Sequence, residues 1–129
     1  MIRVRVPEPW PRSYASERGA GTVLAVAMTA VLLTLGVALA VCVGLVHAHR
    51  QAQAAADLAA LAGALALADG GDGCAAAARV ADRNAARLSD CRVVADEVRV
   101  RAGVAGPTWA GFTAELVGEA RAGPRTGAG

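Results

Sequence analysis

One feature of this sequence constrains its fold more than any other: no charged residue lies between Arg18 and Arg50. The gap is 31 residues long when its two histidines are counted as neutral. Its apolar part, residues 20–46, contains six leucines and seven valines. At about 1.5 Å per residue this part exceeds the roughly 30 Å hydrocarbon core of a bilayer, and it is longer than the apolar stretch of about 7–15 residues in a cleaved secretory signal. The sequence therefore predicts a transmembrane helix at residues 19–47.

The arginines that flank this helix predict its orientation. Four arginines lie within residues 1–18, whereas Arg50 alone follows the helix closely. Cytoplasmic flanks of membrane helices carry the excess of basic residues. We therefore predict a single-pass protein of the cell membrane. Residues 1–18 form a disordered cytoplasmic lead, and the C-terminal part lies outside the cytoplasm.

Residues 48–68 predict an extension of the same helix, because they are almost all helix formers. A second span is the alternative, but the four leucines here contribute at most about −2 kcal/mol to insertion, whereas Asp57 costs roughly +2.5 to +3.5 kcal/mol. One stripe at helical spacing is apolar and consists of Ala54, Leu58, Leu61, Leu65 and Ala68. We expect this stripe to pack on the protein's own head or on a neighbouring subunit.

The remaining residues predict a small α+β head at 69–124 and a disordered tail at 125–129. The glycine-rich segment 69–73 ends the long helix, and residues 74–83 predict a short helix, with Asp72 as its N-cap and Asn84 as a left-handed stop.

Alternating apolar and charged residues predict an antiparallel sheet of about three strands in this head. Residues 86–94 and 97–104 are expected to form a hairpin, which Gly106-Pro107 ends. Residues 112–122 predict a third strand. Its polar face, formed by Glu115, Glu119 and Arg121, is expected opposite Arg99 and Arg101.

Two of the three cysteines, Cys74 and Cys91, lie in the head, where a disulfide persists if the head is outside the cytoplasm. Along the short helix, Cys74 lies about 13.5 Å from residue 83. A strand that runs back beside the helix from residue 86 covers the same distance in about four residues, which brings Cys91 level with Cys74. We predict a Cys74–Cys91 disulfide, with two free buried thiols as the alternative. Cys42 lies in the span and is expected to behave as a small apolar residue.

Small residues repeat every four positions in the span, at Gly36, Ala40 and Gly44. This spacing lets helix backbones approach closely in lipid, so we predict that these residues pack on a partner span.

The sequence lacks the patterns typical of catalytic and metal sites, namely a nucleophile–base pair, a phosphate-binding glycine loop and a Cys/His zinc motif. His47 and His49 point about 200° apart on a helix and therefore cannot share a metal ion. The net charge of +2, without a basic block, argues against nucleic-acid binding. We expect no catalysis, no cofactor and no small-molecule substrate.

Three parts of the sequence together resemble TadE-like proteins: RGAGTV at 18–23, QAQAAADLAAL at 51–61 and the small two-cysteine domain. More narrowly, the chain resembles the TadE-like family encoded beside helicase and secretion genes in high-GC bacteria, over about residues 18–124. The resemblance implies a minor pilin-like (pseudopilin) structural or assembly component of a Flp/Tad pilus or a related secretion apparatus. Its partners would be the bilayer and other subunits of that apparatus.

One position departs from the pattern of the prepilin peptidase substrates in this class, which carry a glutamate five residues after the cleavage-site glycine. Leu24 or Val26 stands there, counted from Gly19 or Gly21.

Two alternatives to the pilin-like function remain open. One is a membrane-anchored binding or sensing module with an external head, and the other is a two-span protein with a cytoplasmic head.

Overall fold

The structure, a computed structural model, describes residues 1–5, 7 and 15–125, without the side chains of residues 15–18. It contains helices α1 (Ala15–Ala68) and α2 (Gly73–Arg83), followed by strands β1 (Arg87–Val94), β2 (Glu97–Trp109) and β3 (Phe112–Ala122). The strands form one antiparallel sheet in the order β1-β2-β3. The predicted α+β fold, with a long apolar N-terminal helix, one short helix and three strands, is confirmed.

Two compact units divide the chain, Met1–Ala38 and Leu39–Gly129. The first contains the start of α1, which begins at Ala15, four residues before the start predicted for the span. Residues 6 and 8–14 of the predicted disordered lead, and residues 126–129 of the predicted tail, lie outside the described residues. The second unit contains the rest of α1 and the whole head.

Within the part of the chain that the structure describes, α1 is the one helix long and apolar enough to cross a membrane. The most apolar 18-residue window in its Gly19–Ala68 stretch has a mean hydropathy of 2.6, and none of that window is buried. Thr29 and Thr34 donate their hydroxyl hydrogens to the carbonyls of Ala25 and Ala30 at 2.9 and 2.8 Å. These hydroxyls are therefore satisfied within the helix, as an apolar surrounding requires.

The two helices end in the same hydrogen-bonded motif, built on different residues. At the end of α1, Gly70 has a positive φ of 76°, and its N–H and that of Gly71 bond to the carbonyls of Leu67 and Ala66. At the end of α2, the left-handed residue is Ala85, with φ 54°.

The predicted left-handed stop at Asn84 was therefore wrong by one residue. Asn84 has φ −100° and is the C-cap, and its amide side chain donates to the carbonyl of Val80 at 2.8 Å. Helix α2 begins at Gly73, one residue before the predicted start. Asp72 is its N-cap, as predicted, and its carboxylate accepts a hydrogen bond from the Ala75 N–H at 3.0 Å.

Strand β2 is longer than predicted, because it continues through Gly106-Pro107 to Trp109. The pairing with β3 shifts by one residue between Ala105 and Thr108. Such a bulge accommodates a proline, which has no N–H to donate to the partner strand. β2 and β3 therefore form one long hairpin, and the predicted break at 106–107 was wrong.

The expected pairing of charges across β2 and β3 is present at one position and absent at another. Glu119 lies opposite Arg101 and forms an ion pair with it at 2.6 Å. Arg99 instead lies opposite Arg121 and pairs with Glu97 on its own strand at 2.7 Å. Glu115 lies opposite Ala105.

Candidate functional site: the helix–head interface

The head packs on one face of α1 that consists almost wholly of alanine. Six alanines of α1 are buried, at the three- and four-residue spacing of a helical face. The first is Ala48, and the other five are Ala52, Ala55, Ala56, Ala59 and Ala60. These five form one core with the inward side chains of β2, which are Val98, Val100, Ala102 and Val104. The segment predicted as a helical extension is therefore the platform on which the head sits.

Glycines bring the backbones of this core into direct contact. A Cβ atom on Gly63 would lie 2.8 Å from the carbonyl oxygen of Gly73 and 2.9 Å from Cγ1 of Val98. A Cβ on Gly118 would lie 2.5 Å from the carbonyl oxygen of Ala52. The helix α1 therefore touches α2 and β3 at distances that only glycine allows.

Two glutamines on either side of Ala52 tie α1 to the head by hydrogen bonds. The Gln53 amide donates to the carbonyl of Glu119 on β3 at 2.9 Å and to Oδ1 of Asp57 at 3.2 Å. The Gln51 amide donates to the carbonyl of Asn84, at the end of α2, at 3.5 Å. The QAQAAAD segment thus contains both the buried alanines and the two glutamines that bond to the head. Asp57 accepts a second hydrogen bond from Gln53 and so fixes its orientation.

The predicted leucine stripe does not pack on the head. Leu58, Leu61 and Leu65 are all exposed, because the head lies on the alanine face instead. Leu67, which is outside this stripe, is partly buried against the core. Leu61 and Leu65 line an apolar groove of about 340 Å³ beside Pro124. Their coverage by a neighbouring subunit, the other predicted possibility, stays a prediction.

The three small residues of the apolar segment differ in their surroundings. A Cβ on Gly36 would have no neighbour within 4 Å, whereas one on Gly44 would lie 3.3 Å from Cγ of Pro107. Ala40 is exposed. Gly44 thus faces the protein's own β2–β3 hairpin, and packing of Gly36 and Ala40 on a partner span stays a prediction.

A disulfide joins Cys74 and Cys91, with their Cα atoms 5.8 Å apart. It ties the first turn of α2 to β1, which lies at the edge of the sheet. Cys42 is a free, exposed thiol on α1. Among the described residues, no group of three or more His, Cys, Asp and Glu side chains is placed to hold a metal ion.

The outer face of the sheet carries a row of arginines across all three strands. Arg92 lies opposite Arg99, and Arg99 lies opposite Arg121. The row borders a cleft of about 720 Å³ that Asp90 and Glu119 also line. Asp90 pairs with Arg92 at 3.1 Å, so acidic side chains accompany these arginines.

The part of the chain that matches a known family is the long helix and not the head. Residues 19–69 match the family model described as putative Flp pilus-assembly TadE/G-like. The resemblance stated from the sequence is thereby confirmed for this segment. It covers the apolar part of α1, the alanine face and both glutamines, and it ends before the disulfide-linked head. No curated protein and no solved structure shows a significant match to the chain.

The residues that hold the head on α1 were not predicted from the sequence. The spacing of Ala52, Ala55, Ala56 and Ala59 was visible, but in so alanine-rich a chain the larger leucines gave the stronger signal of a buried face. Gly63 offered a second signal, because it is the one glycine in a stretch that otherwise favours helix.

Proposed function

We propose that this protein is a non-enzymatic, minor pilin-like component of a Flp/Tad-type pilus or secretion apparatus. One observation carries the proposal: the TadE/G-like match covers a single helix that is apolar in its first half and supports a small head on its second half. The apolar half anchors the protein in the bilayer, and the second half positions the head. Such an arrangement suits a subunit that assembles with other membrane proteins.

The packing of the second half of α1 supports one span rather than two. A second span would expose residues 51–68 to lipid, but their alanine face is buried by the head, and Gln51 and Gln53 bond to it. The excess of arginine before the span supports an N-terminus in the cytoplasm. The Cys74–Cys91 disulfide supports an external head, since disulfides persist in oxidising compartments.

The binding or sensing alternative has less support. The cleft beside the row of arginines is lined by Arg92, Arg99, Arg101 and Arg121, but three of these four arginines form ion pairs with carboxylates of the same face or strand. The remaining positive charge is small for a dedicated anion site.

We infer that the partner subunit contacts the exposed small-residue face of α1 around Gly36 and Ala40. Leucine and valine gain little from associating in lipid, because acyl chains are equally apolar, whereas small residues permit close backbone contact. Gly36 is open, since a Cβ there would meet nothing within 4 Å.

The test is co-purification of the tagged full-length protein with Tad-type membrane components from its own host. Gly36→Leu blocks close approach at the proposed face while keeping the helix apolar. Ala27→Leu is the matched control, because Ala27 lies nine residues earlier and so about 180° around the helix. Both variants should reach the membrane, and only Gly36→Leu should lose its partners.

Two results would contradict the proposal. If the unaltered protein brings down no Tad-type component, the assembly function is wrong. If Gly36→Leu and Ala27→Leu retain partners equally well, the contact surface is elsewhere, and the exposed leucines Leu58, Leu61 and Leu65 become the surface to alter next.

A further inference from the structure

The end of the β2–β3 hairpin extends beyond β1 as a two-stranded ribbon. Pairing of β1 with β2 stops at Gly103, whereas β2 and β3 pair on to Trp109 and Phe112. The end of this ribbon has no charge, because residues Ala105–Ala114 contain no Asp, Glu, Lys or Arg; the nearest charge is Glu115, opposite Ala105. The rest of the sheet is rich in charge, so the ribbon is chemically distinct from the head that carries it.

The ribbon lies along the last turns of the apolar segment of α1. Pro107 contacts Gly44, and Val41 and Leu45 are each only 36% exposed. Their neighbours Leu39 and Val43 are 65% and 68% exposed. The partly covered residues follow a helical face, so the ribbon packs on the same side of α1 as the rest of the head.

The contacts along α1 also place the tip of the ribbon. Val98 of β2 meets α1 at Gly63, and Pro107 meets it at Gly44. Those 19 helical residues span about 28 Å, and the nine strand residues between Val98 and Pro107 span about 30 Å, so β2 runs nearly along the helix. Trp109 lies two residues further, about 7 Å, which brings it level with residue 40.

Two aromatic residues form this tip. Trp109 and Phe112 lie opposite each other and flank the two-residue turn Ala110-Gly111, whose φ angles of 48° and 82° are typical of a tight hairpin turn. Trp109 is 70% and Phe112 81% exposed. The adjacent hydroxyls of Thr108 and Thr113 bond to each other at 3.0 Å, which satisfies polar groups near the tip.

We propose that the tip of this ribbon is a second membrane anchor, in which Trp109 and Phe112 insert into the lipid interface next to α1. Three observations point to lipid: the absence of charge at the end of the ribbon, the exposed aromatic pair, and the position of the tip beside apolar helix residues. Tryptophan is enriched at the interface between acyl chains and headgroups because its ring is amphipathic.

This anchor moves the boundary of the hydrocarbon core from residue 47 to about residue 40. Residues 20–39 then form the core-spanning part, and these 20 residues meet the requirement of about 20 for a 30 Å core. The head is thereby held against the bilayer at two points, the helix and the ribbon. The inference concerns the bilayer alone and does not depend on the pilus proposal.

Fluorescence of Trp109 in the full-length protein tests the proposal. A Trp10→Phe background leaves Trp109 as the only tryptophan, and the protein is reconstituted into vesicles of phosphatidylcholine and phosphatidylglycerol with or without brominated acyl chains. We expect Trp109 emission at shorter wavelength than in water, with a loss of intensity in brominated vesicles. The matched control carries Trp10→Phe, Trp109→Phe and Val94→Trp. It places the tryptophan at the exposed opposite end of the sheet, where emission should be unshifted and unquenched.

Formation of the Cys74–Cys91 disulfide in each variant, checked by mass spectrometry, shows that the head is folded. Emission of Trp109 at long wavelength without bromine quenching, like that of the Val94→Trp control, would overturn the proposal. Short-wavelength emission without quenching would overturn it as well, because it would mean that a second protein surface, rather than lipid, covers the tip.

Discussion

The close crossing of α1 and α2 at Gly63 and Gly73 makes the substitution Gly63→Ala a sharp test of the core. A methyl group at Gly63 would lie 2.8 Å from the backbone oxygen of Gly73 and 2.9 Å from Val98. Neither neighbour yields easily, since one is backbone and Val98 is fully buried. The two helices must therefore move apart, or β2 must shift.

The expected effect is a loss of about 2 kcal/mol in the stability of the head. Overpacking a well-filled core costs roughly 1–3 kcal/mol, and contact with backbone favours the upper end of that range. Replacing glycine by alanine within a helix returns about 1 kcal/mol. The clash outweighs the gain in helix propensity.

Hydrogen exchange of the β2 amides in detergent-solubilised full-length protein measures this loss, because exchange through opening of the core reports its stability. A loss of 2 kcal/mol corresponds to exchange that is roughly 30-fold faster. Gly36→Ala is the control: it makes the same substitution in the same helix where a Cβ meets nothing within 4 Å, and it should leave β2 exchange unchanged. Unchanged β2 exchange in Gly63→Ala would refute the close helix crossing.

Two further substitutions test other parts of the head by the same exchange measurement. Cys91→Ser opens the disulfide that closes a loop between residues 17 apart, and it should destabilise the head by roughly 3 kcal/mol; equal exchange with and without the disulfide would contradict this. Ala85→Gly relieves an alanine held at φ 54° and should stabilise the end of α2 by about 0.5–1 kcal/mol, since the left-handed conformation is unfavourable for alanine. Slower exchange in Ala85→Gly is the expected result, and faster exchange would show that the left-handed strain is absent.

Much of the architecture follows from the sequence alone, because the signals are local. The absence of charge between Arg18 and Arg50 is enough to indicate a span, since each residue adds to insertion independently of the fold. The alternation in residues 97–101 indicates a strand for the same reason. The reach from Cys74 to Cys91 depends only on helix rise and strand rise.

The length of strand β2 could not be predicted from local sequence. Gly106-Pro107 is a breaker by composition, yet the strand continues through it, because pairing with β3 absorbs the extra residue in a bulge. The continuation of β2 requires pairing with β3, which follows later in the chain, so it cannot be predicted from residues 106–107 alone. The ribbon, and with it the exposed Trp109–Phe112 tip, exists only because the pairing continues.

The face of α1 that holds the head was likewise decided by tertiary structure. Hydrophobic size favours Leu58, Leu61 and Leu65 as the buried stripe, whereas the structure buries Ala52, Ala56 and their neighbours. The sequence determined that residues 48–68 continue an apolar helix, since helix propensity and composition are properties of the segment itself. It did not determine which side is covered: the head approaches α1 so closely at Gly63 and Gly118 that a Cβ atom would clash there, and alanines form most of the rest of the covered face.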